Sequence, residues 1–233
     1  MPNAGDPTFA PYLQATPFIE RDAPAVRAFV ARVVGDATTD IEKAVRLFYA
    51  VRDEIRYDPY SIELSVEGMK ATTTLARQRG FCIAKAVLLA AAARAVGIPA
   101  RLGFADVRNH LTTARLQEQM GTDVFAYHGF TELWLGGRWV KATPTFNRSL
   151  CDRFGVHPLD FDGRNDAVFH PFDAAGNRHM EYVRDRGHAA DVPLEDLKRV
   201  FFEMYAPLVS GQQPPISGDF EHEAEEDAAR RRA

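Results

Sequence analysis

From Cys82 to Val96 the chain reads CIAKAVLLAAAARAV, a helix-length run that is apolar on every face except at Lys85 and Arg94. A surface helix shows one apolar stripe, whereas a helix apolar all round must be buried all round. Gly97 ends the run and Pro99 prevents it from restarting. A fold built on this chain has to surround that helix.

With 233 residues, 46% of them apolar, the chain is long enough to do so in one domain. Its 28 basic and 32 acidic residues give no electrostatic footprint for nucleic acid. The start lacks a basic stretch followed by an apolar one, and no later run of about 18 apolar residues is free of charge. The expectation is a soluble, cytoplasmic protein with no nucleic-acid or membrane partner. Cys82 and Cys151, its only cysteines, are read as free thiols.

Residues 1–21, rich in proline, are expected to run extended over the surface as a lead-in. Asp22 is placed to cap a helix through VRAFVARVV, and Thr39 with Glu42 forms a capping box ahead of AVRLFYAVRDEIRY. ATTTLARQRG suggests a short helix with a threonine cap and a glycine stop, RLGFADV a strand, and TTARLQEQMG a polar helix. HGFTELWLGGRWVKATP is the clearest strand signal, a hairpin turning at Gly136-Gly137. That turn sets Trp134 opposite Trp139, Glu132 opposite Lys141 as an ion pair, and His128 opposite Thr145. Residues 151–210 read as a C-terminal extension, with a hairpin across 173–177 and a last helix, VPLEDLKRVFFEMY, capped by Asp191. Residues 22–210 thus form one domain. Residues 211–233 hold too little apolar content to offset their ordering entropy and are expected to be disordered.

A thiol on the first turn of a helix sees the positive end of the macrodipole and unpaired N–H groups, both of which favour thiolate. Most free cysteines are simply buried and inert. His128, at the start of a strand, supplies the second half of a nucleophile and base pair. The backbone N–H of Cys82 is the natural donor for an oxyanion; Gln78 reads as a solvated side chain, and Tyr127 as either cleft or packing. Lys85 is expected to pack its stem along the core with its head in solvent, the alternative being a head that snorkels to a cleft and meets a substrate carboxylate.

R-x-G-x-C, the apolar helix, G-I-P-A-R and then HGFTELWLGGRWVKATPT together resemble the core of the transglutaminase-like superfamily over residues 72–146. The resemblance implies a papain-like α+β fold in which a buried nucleophile helix packs on an antiparallel sheet. It makes Cys82 the nucleophile and His128 the base, with chemistry passing through a thioester whose acyl group goes to water or to an amine. One departure is plain. The family usually carries Asp-Pro-Thr where this chain has Thr143-Pro144-Thr145. Thr143 is ranked first to orient the histidine because it holds the motif position, with Asn147 as the alternative and Asp106 or Asp162 as more distant carboxylates.

The expected function is a cysteine-dependent hydrolase of peptide or amide bonds in a peptide, protein or small amide substrate, needing no cofactor and no metal. Amine acyl transfer and a non-catalytic binding module of the same fold are the alternatives. DFDGRND, residues 160–166, lacks the acidic pattern of a calcium loop and reads as a turn. The scattered histidines His157, His170, His179 and His188 match no metal motif.

Overall fold

The computed structural model describes residues 6–110, 112–169, 172–173, 175–176, 179–205 and 218–232. It opens with a 3-10 turn, Pro7–Tyr12, capped by Asp6. The lead-in is therefore not extended: Phe9 is buried against Trp134, ring centroids 4.9 Å apart, and Tyr12 meets Trp139 edge-on. Its burial comes from single aromatic anchors with no periodic stripe, which pattern reading cannot see. Helix α1 (Pro24–Val34) starts on Pro24 with Ala23 as its cap, while Asp22 pairs with Arg27 at 2.6 Å instead. Helix α2 (Asp40–Glu54) carries the expected capping box, Glu42 N–H to Thr39 Oγ1 and Thr39 N–H to Glu42 Oε2. Strands β1 (Arg56–Tyr57) and β2 (Arg79–Gly80) pair in parallel on either side of helix α3 (Ala71–Arg77). No threonine caps α3, and Gln78 stops it by taking the left-handed conformation at φ 49°.

The apolar run forms helix α4 (Cys82–Ala95), in which every residue from Ile83 to Arg94 is buried. Helices α1, α2 and α3 and the sheet all pack on it. Its charges are absorbed by backbone. Arg94 donates to the carbonyls of Ala100, Gln14 and Ala190, tying the lead-in to the segment around Ala190. The Lys85 head is not in solvent: Nζ is wholly buried and donates to the carbonyls of Arg52 (2.9 Å) and Ile55 (2.5 Å). Those are acceptors that the end of α2 leaves unpaired.

The sheet is antiparallel in the order β5-β4-β3-β6, from β3 (Ala100–Asn109), β4 (Val124–Leu135), β5 (Arg138–Ala142) and β6 (Met180–Ala189). Helix α5 (Ala114–Met120), capped by Thr113, joins β3 to β4. The turn at Gly136 and Gly137 has positive φ at both, and the register holds Trp134 opposite Trp139 and Glu132 opposite Lys141. The expected ion pair does not form. Glu132 binds Arg101 on β3, and Lys141 Nζ stands 5.2 Å over the Phe130 ring. The ladder also ends early, at Thr131 opposite Ala142, so His128 and Thr145 are not a strand pair; the Thr143 N–H donates to Ala167 O instead.

Helix α6 (Arg148–Phe154) follows, and β6 pairs with β3 rather than closing a local hairpin across 173–177, part of which lies outside the described residues, as does His170. Helix α7 (Leu194–Met204) is capped at Pro193; Asp191 accepts from Thr16. The expected disorder of 211–233 is corrected where the chain is described: residues 220–232 form helix α8 (Phe220–Arg232). Phe220 and Ala224, one helical turn apart, are buried, and α8 packs on α6. Residues 206–217 lie outside the description.

Candidate active site

Cys82 is the first residue of α4, whose N-cap, Phe81, offers no side-chain acceptor. The terminal N–H groups of Cys82 and Ile83 face the sulfur instead, joined by the N–H of Gly129 from β4. All three donors favour thiolate, as expected from the helix terminus, yet burial outweighs them and pushes the thiol up to about 11. The cysteine rests as a thiol. Gly129 is the site residue that sequence reading missed: a Cβ there would stand 2.8 Å from Ile83 Cγ1 and 3.0 Å from Ile83 Cα. Only glycine lets β4 come so close to the head of α4, and a glycine inside a strand pattern was the available signal.

His128 precedes Gly129 and is buried, its ring 4.9 Å from Phe169. Burial holds its pKa down to about 3, so the imidazole is neutral. A β-bulge lies directly beside it. The β3–β4 register shifts between Ala105 and Val107, and Tyr127 takes a left-handed φ of 55°, uncommon outside glycine. The bulge is clamped: the Tyr127 N–H donates to Asp106 Oδ1 at 3.0 Å, Asp106 pairs with Arg186 at 2.5 Å, and the Arg186 guanidinium stands 4.6 Å over the Tyr127 ring. Tyr127 therefore packs, and Asp106 is engaged with the bulge rather than with the imidazole.

His128 Nε2, Thr143 Oγ1 and Thr145 Oγ1 are all buried, and none makes a hydrogen bond of ordinary geometry among the described residues, although the Tyr182 hydroxyl lies close enough to Thr143 to feel it. Asn147 is committed elsewhere. Its Oδ1 accepts from Tyr57 N–H at 3.0 Å, and its Nδ2 donates to Ser149 and Glu221, both at 2.7 Å, so the amide joins β1, α6 and α8. Asp162 is held in its own turn by the N–H groups of Arg164 and Asn165, and Gln78 is exposed. Cys151 is buried with its thiol pushed up to about 12 by burial.

Cys82 and His128 line one cavity of about 280 Å³ whose walls come from β1 and the segment after it, α5, β4 and α7; Cys151 is not among its lining residues. Residues 27–144, just over half of the chain, match the sequence model of the transglutaminase-like superfamily. The chain belongs to that superfamily. Its buried helix against an antiparallel sheet is a transglutaminase-like α+β core. Among solved structures it is similar to a candidate cysteine protease from Cytophaga hutchinsonii, at 18% identity and a TM-score of 0.48 over 79% of this chain and 55% of that one. It is also similar to a candidate protease from Parabacteroides distasonis, at 15% identity and a TM-score of 0.37 over 58% of this chain and 25% of that one. The chain thus spans about half the length of the first and a quarter of the second. No curated protein matches it.

Proposed function

We propose that this transglutaminase-like chain is a cysteine-dependent hydrolase of peptide or amide bonds, with Cys82 as nucleophile and His128 as base. The observation that supports it is that both residues line one cavity, with Gly129 holding the strand of the base against the helix of the thiol. Because both groups rest neutral, attack and proton transfer go together: the Sγ–C bond forms as the thiol proton passes to the imidazole. The oxyanion is met by the backbone N–H of Cys82 at the head of α4, which exchanges the sulfur for the oxygen as charge develops there. When the C–N bond breaks, the leaving amine takes the proton back from the imidazolium and a thioester remains. Water then attacks, His128 accepting its proton, and the C–S bond breaks to return the thiol.

Thr143 sits at the motif position of the orienting residue, and in this reading it backs His128 with less electrostatic support than a carboxylate would give. The test is hydrolysis of a panel of peptide and amide substrates by the wild-type chain, Cys82→Ala and His128→Ala. Each variant is expected to lose about a hundredfold or more in rate. A folded Cys82→Ala chain at wild-type rate would remove the nucleophile, and a panel left uncut by the wild type would favour a binding module. Product formed only with added amine would make the enzyme a transferase.

A further inference from the structure

Apart from Cys82, His128 and the hydroxyl of Tyr57, the cavity is walled largely by apolar surface. Helix α5 presents Leu116 and Met120, β4 presents Phe125, α7 presents Phe201 and Tyr205, and Ile62 stands among them. Among the described lining residues there is no Asp, Glu, Lys or Arg. The tyrosine hydroxyls that border it are largely engaged already: Tyr205 O–H donates to Val124 O and accepts from Ala126 N–H, and the Tyr60 hydroxyl is bonded to Glu223. What these two tyrosines leave for a ligand is ring surface.

Size narrows the occupant. A dry cavity of about 150 Å³ admits benzene. The cavity here, about 280 Å³, holds one aromatic or branched aliphatic side chain with the backbone beside it. Resting on the reading of Cys82 as nucleophile, we propose that this cavity selects an acyl donor with a bulky, uncharged, apolar side chain, such as phenylalanine or leucine, next to the reacting carbonyl. Such a side chain exchanges water for apolar walls, whereas a carboxylate or ammonium would lose its hydration with no opposite charge to meet it.

The experiment compares p-nitrophenyl esters of N-acetylated phenylalanine, leucine, glutamate and lysine on the full chain. In each, the Sγ–C bond forms as p-nitrophenolate leaves and the thiol proton passes to the imidazole. Nitrophenolate release gives the rate, mass spectrometry locates the acyl group, and iodoacetamide labelling reports the thiol alone. The phenylalanyl and leucyl esters should acylate Cys82 roughly tenfold or more faster than the charged ones. Ile62 is 42% exposed, so the fold does not depend on it, and Ile62→Glu should cut the phenylalanyl-to-lysyl ratio severalfold. Equal rates across the esters, with iodoacetamide still finding Cys82, would overturn the apolar pocket and leave the nucleophile standing. A folded chain whose Cys82 neither reagent modifies would overturn the nucleophile, and the pocket with it.

Discussion

At Gly129 the backbone of β4 lies so near the first turn of α4 that an added methyl would stand 3.0 Å from Ile83 Cα. Backbone cannot swing aside as a flexible side chain can, so Gly129→Ala has to push strand and helix apart. It should destabilise the chain by about 1–3 kcal/mol in denaturant unfolding and slow the alkylation of Cys82 while sparing Cys151. Thr143 offers the opposite kind of test. Its hydroxyl is buried without an ordinary hydrogen bond, so Thr143→Val should shift stability by no more than about 1 kcal/mol, while it takes away the oxygen that backs the ring and slows alkylation of Cys82. Thr143→Asp places a carboxylate at the motif position, which raises the imidazole pKa and favours an imidazolium–thiolate pair. Mass-spectrometric labelling at neutral pH should then find Cys82 more reactive than in the wild type. Unchanged labelling in a folded Thr143→Asp chain would take Thr143 away from the ring.

Among the elements, α8 departs furthest from what composition foretold. EHEAEEDAARRRA counts as too polar to pack, yet Phe220 and Ala224 fall one turn apart and bury together, Phe220 meeting Tyr57 and Tyr60 edge-on. Its acids are paired as well: Glu221 with Asn147 and Arg153, Glu223 with Tyr60 and Arg115. Composition sums a segment, whereas docking depends on where its few apolar residues sit. Deleting residues 218–233 should therefore lower the melting temperature by several degrees, the effect of losing about 2 kcal/mol of aromatic burial. A deletion that melts with the full chain would mean that α8 does not hold to the core in solution.

At the scale of the molecule, the two buried bases make stability depend on pH. Lys85 titrates at about 7 in the folded chain against an ordinary 10.5, and His128 at about 3 against 6.5, each lowered by burial. As pH falls the unfolded chain binds these protons first, so stability is full above the ordinary values and drains away towards the folded ones. Melting temperature should fall as pH drops from 9 to 7, at a slope of up to about 1.4 kcal/mol per unit, and fall again from 6 to 4. Lys85→Met should flatten the first slope; a wild-type melt level across both windows would refute the buried-base picture.

What could be read from the chain and what could not divide along one physical line. The all-apolar run, the Thr39–Glu42 box and the Gly136-Gly137 register are local patterns, and each appears in the structure as its pattern requires. Cys82 and His128 could be singled out as candidates because their local settings and the family motif agree, and the structure has both lining one cavity. The pairing of β6 with β3, the bulge beside His128, the clamp of Asp106 on Tyr127 and the docking of α8 join residues far apart in sequence. No local period announces them. The net effect of burial on Cys82 was hidden for the same reason, since desolvation belongs to the whole surround rather than to the helix terminus.

The most direct test of the central proposal, that Cys82 is the working thiol and rests protonated in one cavity with a neutral His128, is mass spectrometry of the chain after brief exposure to iodoacetamide across a range of pH. Cys82 should be modified well before the buried Cys151, at a rate that climbs with pH through the neutral and alkaline range towards its pKa of about 11. Labelling of Cys151 as fast as Cys82, or a Cys82 rate that levels off below pH 8, would contradict it.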